Sequence, residues 1–205
     1  VQVGSIRWAQ CMFKISSLWP LIQAIEKISG KSYSDTQNQP PMRVIADHLT
    51  AATFLIKDGV IPSNKTQGYV LRRLLRRAAV KLYFLTSNRD SLSQLASLVS
   101  IVIDFYSPLY FNPAADKDLI SDTVKTEISK FSLSLDKGLR ELHKNPNVDG
   151  KAAFDLYQNY GFPLEITTEI LAQMGHSVDI KEFQAEFEKH KELSRSASAG
   201  MFKGG

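Results

Sequence analysis

MRVIADHLTAATFLIKDGVIPSNKTQGYVLRRLLRRAAVKLYFL, from Met42 to Leu85, is the stretch whose reading decides the fold. It holds two helical patterns separated by the turn Asp58-Gly59-Val60-Ile61-Pro62-Ser63-Asn64. With Leu71 as the zero of a helical wheel at about 100° per residue, Leu74, Leu75, Ala78 and Leu82 fall within roughly 60° of it. Arg72, Arg73, Arg76 and Arg77 fall opposite, between about 100° and 240°. One face packs, and the other carries the arginines.

Like charges on adjacent turns repel, at a few tenths of a kcal/mol per (i, i+4) pair. No acidic residue lies between Asn64 and Thr86. The counter-charge is therefore a carboxylate from elsewhere in the fold or a phosphate from a partner. The plainer alternative is a solvated basic face with intrachain salt bridges; the sharper reading is a polyanion laid on this face. In the turn, Gly59 marks a helix end and Pro62 prevents continuation. Ser63 or Asn64 is positioned to cap the next helix, and a helix N-terminus also offers free N–H groups to an anion.

These residues resemble the middle region of alanyl-tRNA synthetases. The family pattern runs R-x-I-A-D-H, a helix, D-G-x-x-P-S-N, then R-G-Y-V-L-R-R and a further basic pair. The matching residues are Arg43, Ile45-Ala46-Asp47-His48, Asp58-Gly59, Pro62-Ser63-Asn64, Gly68-Tyr69-Val70-Leu71-Arg72-Arg73 and Arg76-Arg77. Gln67 departs from the pattern, which usually has arginine there.

Composition sets wider bounds. The 205 residues suffice for one sizeable core or two small ones. Hydrophobic content of 43% and charged content of 22% are ordinary for a globular protein. The net charge of +4 is modest, and its clustering on one helix is what carries meaning. A lone cysteine, Cys11, excludes an internal disulfide and fits a reducing compartment. No run of about 18 apolar residues suggests a transmembrane helix. Arg7 and Lys14 interrupt what would be the apolar core of a signal peptide.

Along the chain, Val1 opens without an initiator Met, which suggests a piece of a longer protein. In the resembling family this place holds the end of a catalytic domain with a G-L-E-R-like motif of the ATP site. Gly4-Ser5-Ile6-Arg7-Trp8-Ala9 lacks the Gly-Leu-Glu portion, so Arg7 reads as a surface arginine. Trp19 to Ile28 is helical, with Pro20 in the first turn and Gly30 ending it. Residues 31 to 41 are polar and Pro-rich and read as a loop. Met42 to Lys57 is a helix with Val44, Ile45, Leu49, Ala52, Phe54 and Leu55 on its apolar face. Asp47 and His48 point about 100° apart and are not expected to converge. The four histidines, His48, His143, His176 and His190, show no metal-ligand spacing.

After the basic helix, Asn88-Arg89-Asp90 is a break. Leu92 to Tyr106 is helical, with Leu95, Leu98, Val99, Val102 and Ile103 as its stripe. Pro108 and Pro113 mark a loop. Leu119 to Leu142 is a long amphipathic helix through Ile120, Val124, Ile128, Phe131, Leu135, Leu139 and Leu142. Its end, FSLSLDKGLREL, resembles the family's F-x-x-T-L-x-x-G-L-x-x-L. Ala153 to Glu165 follows a turn and resembles F-x-L-Y-D-T-Y-G-F-P, with Gly161 and Pro163 closing one helix and opening another. Short helices follow, the last with Phe183, Phe187 and Leu193 in a partial stripe.

The fold is therefore read as mainly α, two helical subdomains joined by a long helix, as in the tRNA-recognition region of a class II synthetase. The expected parts are 1–30, the end of a catalytic domain and a first helix; 31–113, a first helical tRNA-recognition subdomain; 114–193, a second; and 194–205, a linker toward an editing domain.

The resemblance implies the function. Alanyl-tRNA synthetases select the G·U wobble pair of the tRNA acceptor stem. They use an asparagine in the P-S-N turn and an aspartate in the L-Y-D motif. The asparagine corresponds to Asn64, and the aspartate position is Gln158 here. A glutamine amide both accepts and donates hydrogen bonds, without a carboxylate's charge. Asp155, one helical turn earlier, is a possible substitute. Both subdomains are expected to face a common groove with the arginines on phosphates, the wide RNA minor groove being the accessible one. The motifs for alanine and ATP lie elsewhere in the family, so no catalytic residue is assigned and the fragment alone should not activate alanine. ATP with magnesium, and zinc as a candidate ion, belong to the parent, in the cytoplasm or an organellar translation compartment. The competing reading is a non-catalytic helical module whose arginine face docks on an acidic protein or a membrane surface. An independent hydrolase lacks any nucleophile–base constellation.

Overall fold

The computed structural model describes residues 17–107, 109–144 and 148–201, with residues 193–201 as backbone only. Arg7, Cys11, Gly4-to-Ala9, Pro108, the side chain of Leu193 and residues 202–205 lie outside the described residues. Eight α-helices and one 3₁₀ turn make up the described chain, with no strand among these residues. They are α1 (Trp19–Ser29), α2 (Gln39–Lys57), α3 (Thr66–Thr86), α4 (Leu95–Tyr106), α5 (Pro113–Lys144), α6 (Gly150–Tyr160), α7 (Leu164–Gln173) and α8 (Ile180–Met201), with the 3₁₀ turn at Asp90–Gln94. The mainly α expectation holds.

The first unit, up to Ser132, is built on α2 packed along α3. Its core is Leu21, Ile22 and Ile25 of α1, Met42, Ile45, Leu49, Ala52 and Ile56 of α2, and Leu71, Leu75, Ala78 and Leu82 of α3. Leu95, Leu98, Val99, Val102 and Ile103 of α4 complete it, all buried. Each of the leucines, isoleucines, valines and the methionine among them contributes about 1.5–3 kcal/mol by leaving water.

Four readings of this unit are corrected. On α2 the buried stripe is Met42, Ile45, Ala46, Leu49, Ala52, Thr53 and Ile56, while Val44, Phe54 and Leu55 are half-buried beside it. Phe54 instead joins an aromatic cluster with Tyr106, Tyr110 and Phe111, at ring distances of 5.1, 5.7 and 4.9 Å. The loop from 31 ends sooner, since α2 begins at Gln39 with its prolines in the first turn, where no N–H partner is needed. Nor is that loop simply polar. Tyr33 is fully buried, edge-on to Trp19 at 5.7 Å, and its hydroxyl accepts from Arg43 Nε at 2.7 Å. This gives Arg43, one of the matching residues, a structural task. On α3, Leu74 is half-buried rather than buried.

The chain divides at Ser132/Leu133, inside α5, and not at residues 113/114. The cause lies in side-chain ties from the start of α5. Lys57 Nζ donates to Asp116 at 2.9 Å, Ser121 Oγ donates to the Ala96 carbonyl at 3.0 Å, and Glu127 takes Arg76 at 2.8 Å. The apolar stripe of α5, Ile120 to Leu142, is buried at all seven positions expected.

The second unit holds the end of α5 with α6, α7 and α8. Asp149 caps α6 by accepting from Ala152 N at 2.7 Å. Gly150 sits where α8 crosses: a Cβ there would lie 2.4 Å from Glu182 Cβ. Phe154, Tyr157, Phe183 and Phe187 interlock, with ring distances of 5.5 to 6.3 Å. The final helix is not short: α8 spans 22 residues and its backbone stays helical through Met201, past the expected start of the linker at 194.

Candidate nucleic-acid interface

The turn between α2 and α3 is built from backbone hydrogen bonds. Gly59, at φ 84°, closes α2, with Val60 N–H reaching back to the Leu55 carbonyl at 3.0 Å. The chain then folds onto the first turn of α3, where Ser63 N–H donates to the Gly68 carbonyl at 3.1 Å. The approach is close enough that only glycine fits. A Cβ at position 68 would lie 2.2 Å from Ser63 Oγ and 2.4 Å from the Ile61 carbonyl oxygen. Thr66, at φ 47°, holds a left-handed conformation that a β-branched residue rarely adopts. Such strain gathers at sites where the surroundings dictate the backbone.

Neither Ser63 nor Asn64 caps α3, contrary to expectation. The N-cap is Lys65, in extended conformation and without a side-chain cap bond. Ser63 Oγ bonds the backbone of Lys65 instead. Asn64 is exposed, and its Oδ1 accepts from Arg72 Nη1. The polar side chains of this turn go to the arginine face and the loop itself, not to the helix dipole.

The arginine face is partly buried. None of Arg72, Arg73, Arg76 and Arg77 is fully exposed; all are half-buried. The counter-charge for two of them is Glu127 of α5, whose side chain is 5% exposed. Its Oε1 lies 2.8 Å from both Nε and Nη2 of Arg76 and 3.2 Å from Arg72 Nε. Arg72 Nε is not aligned for a hydrogen bond, so that contact is electrostatic. Arg76 also lies over the Phe131 ring at 5.0 Å. Burial pulls the Arg76 guanidinium below its ordinary pKa, against the Glu127 carboxylate, which raises it. Arg76 thus binds the fold together and is a poor candidate for a phosphate. Arg73 and Arg77 take part in further interactions of their own.

Beside the turn, Ile61, Pro62 and Arg72 line a cleft with Leu119, Asp122, Thr126 and Lys130. Ile61 is 74% exposed at its lip.

Gln158 belongs to the second unit. It is exposed on the last turns of α6, as are Asp155 and Asn159. Gly161, at φ 65°, ends that helix, and Phe162 N–H reaches the Leu156 carbonyl at 3.2 Å. Phe162 is fully buried against α5, where Gly138 leaves room for it; a Cβ at 138 would lie 2.4 Å from the ring. The glycine of FSLSLDKGLREL and the phenylalanine of the Gly161-Phe162-Pro163 turn are one contact.

Asp47 and His48 do meet, against expectation, with Oδ2 and Nδ1 at 3.2 Å. Among the described residues no group of three or more His, Cys, Asp or Glu is arranged to hold a metal ion. No helix of the described residues is long and apolar enough to cross a membrane.

Sequence reasoning missed Glu127. The signal was present: it lies three residues after Val124 and four before Phe131, within the apolar stripe of α5. Asp116 lies four residues before Ile120, on the same stripe. An acid in an otherwise apolar stripe announces a buried basic partner.

Comparison with known proteins adds to this geometry. Residues 2–203 match the family described as tRNA synthetases class II (A). The chain is 38% identical over 190 residues to an alanine–tRNA ligase of Bacteroides fragilis, covering 88% of this chain and 22% of that protein. It is 38% identical over 187 residues to an alanine–tRNA ligase of Staphylococcus saprophyticus, covering 87% of this chain and 21% of that protein. The chain therefore spans about a fifth of the length of the curated relatives it matches.

Proposed function

The chain belongs to the class II (A) tRNA synthetases, and from that membership we propose that it is the tRNA-recognition region of an alanine–tRNA ligase. The parent would join alanine to tRNA(Ala) with ATP, in the cytoplasm or an organellar translation compartment. ATP with magnesium, and any zinc, are assigned to parts of the parent beyond these residues. This region would hold the acceptor stem and favour a G·U pair.

One observation carries the reading. Asn64 stands exposed on a glycine-keyed turn, at the start of the helix that carries the arginines. A rigidly held amide beside a cationic surface is the arrangement that separates base reading from phosphate holding. Arg73 and Arg77 are proposed to meet phosphates, Arg72 to serve the turn, and Gln158 to contribute a second amide from the other unit. Arg76, tied to Glu127, is withdrawn from direct contact.

The test is binding of matched RNA hairpins that carry G·U or G·C at one place in the stem. Asn64→Ala should reduce the preference for G·U about ten-fold, the usual scale of one base-edge contact. Gln158→Ala should reduce it less. An unchanged preference in Asn64→Ala would leave Asn64 as a loop residue and sink the reading. Alanine-dependent pyrophosphate exchange by this chain alone should be undetectable, and robust exchange would contradict its assignment as a recognition region.

A further inference from the structure

The cleft beside Ile61 and Pro62 lies wholly within the first unit and measures about 350 Å³. That is within the usual size of a small-ligand site, about 300–1,000 Å³. One wall is the turn, and the other is a face of α5. Large apolar side chains stand in water at both lips, Ile61 at 74% and Leu119 at 60% exposure. Leu119 is outside the buried stripe that begins at Ile120, so core packing does not account for it. Further along the same wall come Asp122, Thr126 and Lys130, each about one helical turn from the last. None of these three makes a hydrogen bond or ion pair among the described residues. Thr123, by contrast, has already given its hydroxyl proton to the Leu119 carbonyl, 2.8 Å away. The order along α5 is therefore apolar, carboxylate, hydroxyl, ammonium. A carboxylate accepts from sugar hydroxyls and repels phosphate, whereas an ammonium draws phosphate. Lys130 leans back toward Thr126, because helical side chains tilt toward the N-terminus. Base, ribose and phosphate follow one another in that order in a nucleotide.

We propose that this cleft is a pocket for one unpaired ribonucleotide of the bound RNA: Ile61 and Leu119 hold the base, Asp122 and Thr126 take the ribose hydroxyls, and Lys130 takes the phosphate. This rests on RNA binding at the arginine face of α3 and extends it to a nucleotide outside the duplex. Arg72 belongs to both surfaces, since it lines the cleft and contacts Asn64 in the turn. A strand that leaves a stem held on α3 therefore meets the cleft next. The charges of the cleft balance, Arg72 and Lys130 against Asp122 and Glu127, so a phosphate alone has no net reason to enter. The apolar lips need a base face that is not already stacked in a helix, which only an unpaired nucleotide offers. Every base has such a face, so the pocket tolerates any of the four. The ribose 2′-hydroxyl, absent from DNA, is what Asp122 is placed to detect.

The test measures how tightly the 205-residue chain binds a blunt RNA hairpin and the same hairpin with one unpaired adenosine. The adenosine is placed at the 3′ end, at the 5′ end or as a single bulge. The gain, the ratio of the two affinities, cancels losses of folded fraction or of phosphate binding by the stem. In at least one placement the gain should be several-fold, and an abasic nucleotide there should abolish it. Leu119→Ser with Ile61→Ser keeps the charge of the chain and changes only exposed side chains. It should bring the gain close to one and leave the blunt hairpin bound as before. A 2′-deoxy sugar at the unpaired position should lower the gain in the wild type and change nothing further in Asp122→Ala. The proposal is overturned if no placement gives a gain, if the gain survives loss of the base, or if the double variant keeps it. Adenosine monophosphate that bound more tightly than the hairpin would make the cleft a free-nucleotide site and overturn it too. If the blunt hairpin is not bound at all, RNA binding at α3 fails first and the proposal with it.

Discussion

The two turns that present the candidate amides are supported in opposite ways. The turn from Ile61 to Asn64 is held by polar atoms: Arg72 grips Asn64 and the Pro62 carbonyl, and Glu127 lies against Arg72 and Arg76. The turn from Gly161 to Pro163 is held by an apolar plug, Phe162, seated on the bare backbone of Gly138. A polar anchor fixes the orientation of a side chain, because donors and acceptors are directional. A plug fixes position alone. Accordingly Asn64 has a defined amide orientation, while Gln158 stands on an exposed helix surface. The asparagine is the better-prepared reader.

Substitutions that empty the apolar turn should have the largest effect. Phe162→Ala should cost about 3–5 kcal/mol in the unfolding of the second unit, read by urea denaturation. A cost below about 1 kcal/mol would show the turn to be held by something else. On the polar side, Glu127→Ala strands two half-buried arginines. Removing one partner of a buried pair costs about 3–5 kcal/mol, and here the partial exposure of Arg72 and Arg76 reduces that to roughly 2–3 kcal/mol. The G·U preference should fall with it, whereas Phe162→Ala should not act through Asn64. Equal effects of the two on preference would erase the contrast.

Gly138 offers a smaller and sharper test. Alanine in place of a helical glycine normally stabilises by up to about 1 kcal/mol. Gly138→Ala should instead destabilise by about 1–3 kcal/mol, since the Phe162 ring occupies the space. In a Phe162→Ala background the sign should reverse. The same measurement at Gly68 would ask whether the polar turn relies on a bare backbone too.

The smallest expected effect is on acid stability. Hydrogen bonds from Lys57 and from Asn112 N–H hold the Asp116 carboxyl below its ordinary pKa. Its stabilisation is therefore present above the unfolded value, near pH 3.9, and is lost as pH falls through the lower folded value. Urea midpoints of the protein and of Asp116→Asn should differ by a constant amount above about pH 5 and converge below it. A gap that persists at low pH would assign the difference to packing alone.

The helical stripes were legible because their period is a property of the chain alone. Leu95 to Ile103 and Ile120 to Leu142 are buried as spaced. Gly30, Gly59 and Gly161 end their helices for the same local reason. Pairings between distant residues were not legible. Nothing near Arg76 in sequence names Glu127, which is 51 residues away, and nothing in the 31–41 segment says that Tyr33 turns inward onto Trp19. The shift of the α2 stripe has a similar cause: Phe54 finds its partners on residues 106 to 111. The candidate site was found in part. Asn64 and the arginines were located by resemblance and by wheel position, but their division of labour depends on a carboxylate from another helix.

Gly68 carries one more implication. The turn meets α3 at the residue with no side chain, and the neighbours on either side, Gln67 and Tyr69, both have one. A slip of the turn by one residue along the helix would drive a side chain into Ile61 and Ser63. The joint therefore works like a key with a single tooth, seating the turn in one register and no other. The height of Asn64 on the helix is set by that one missing methyl group.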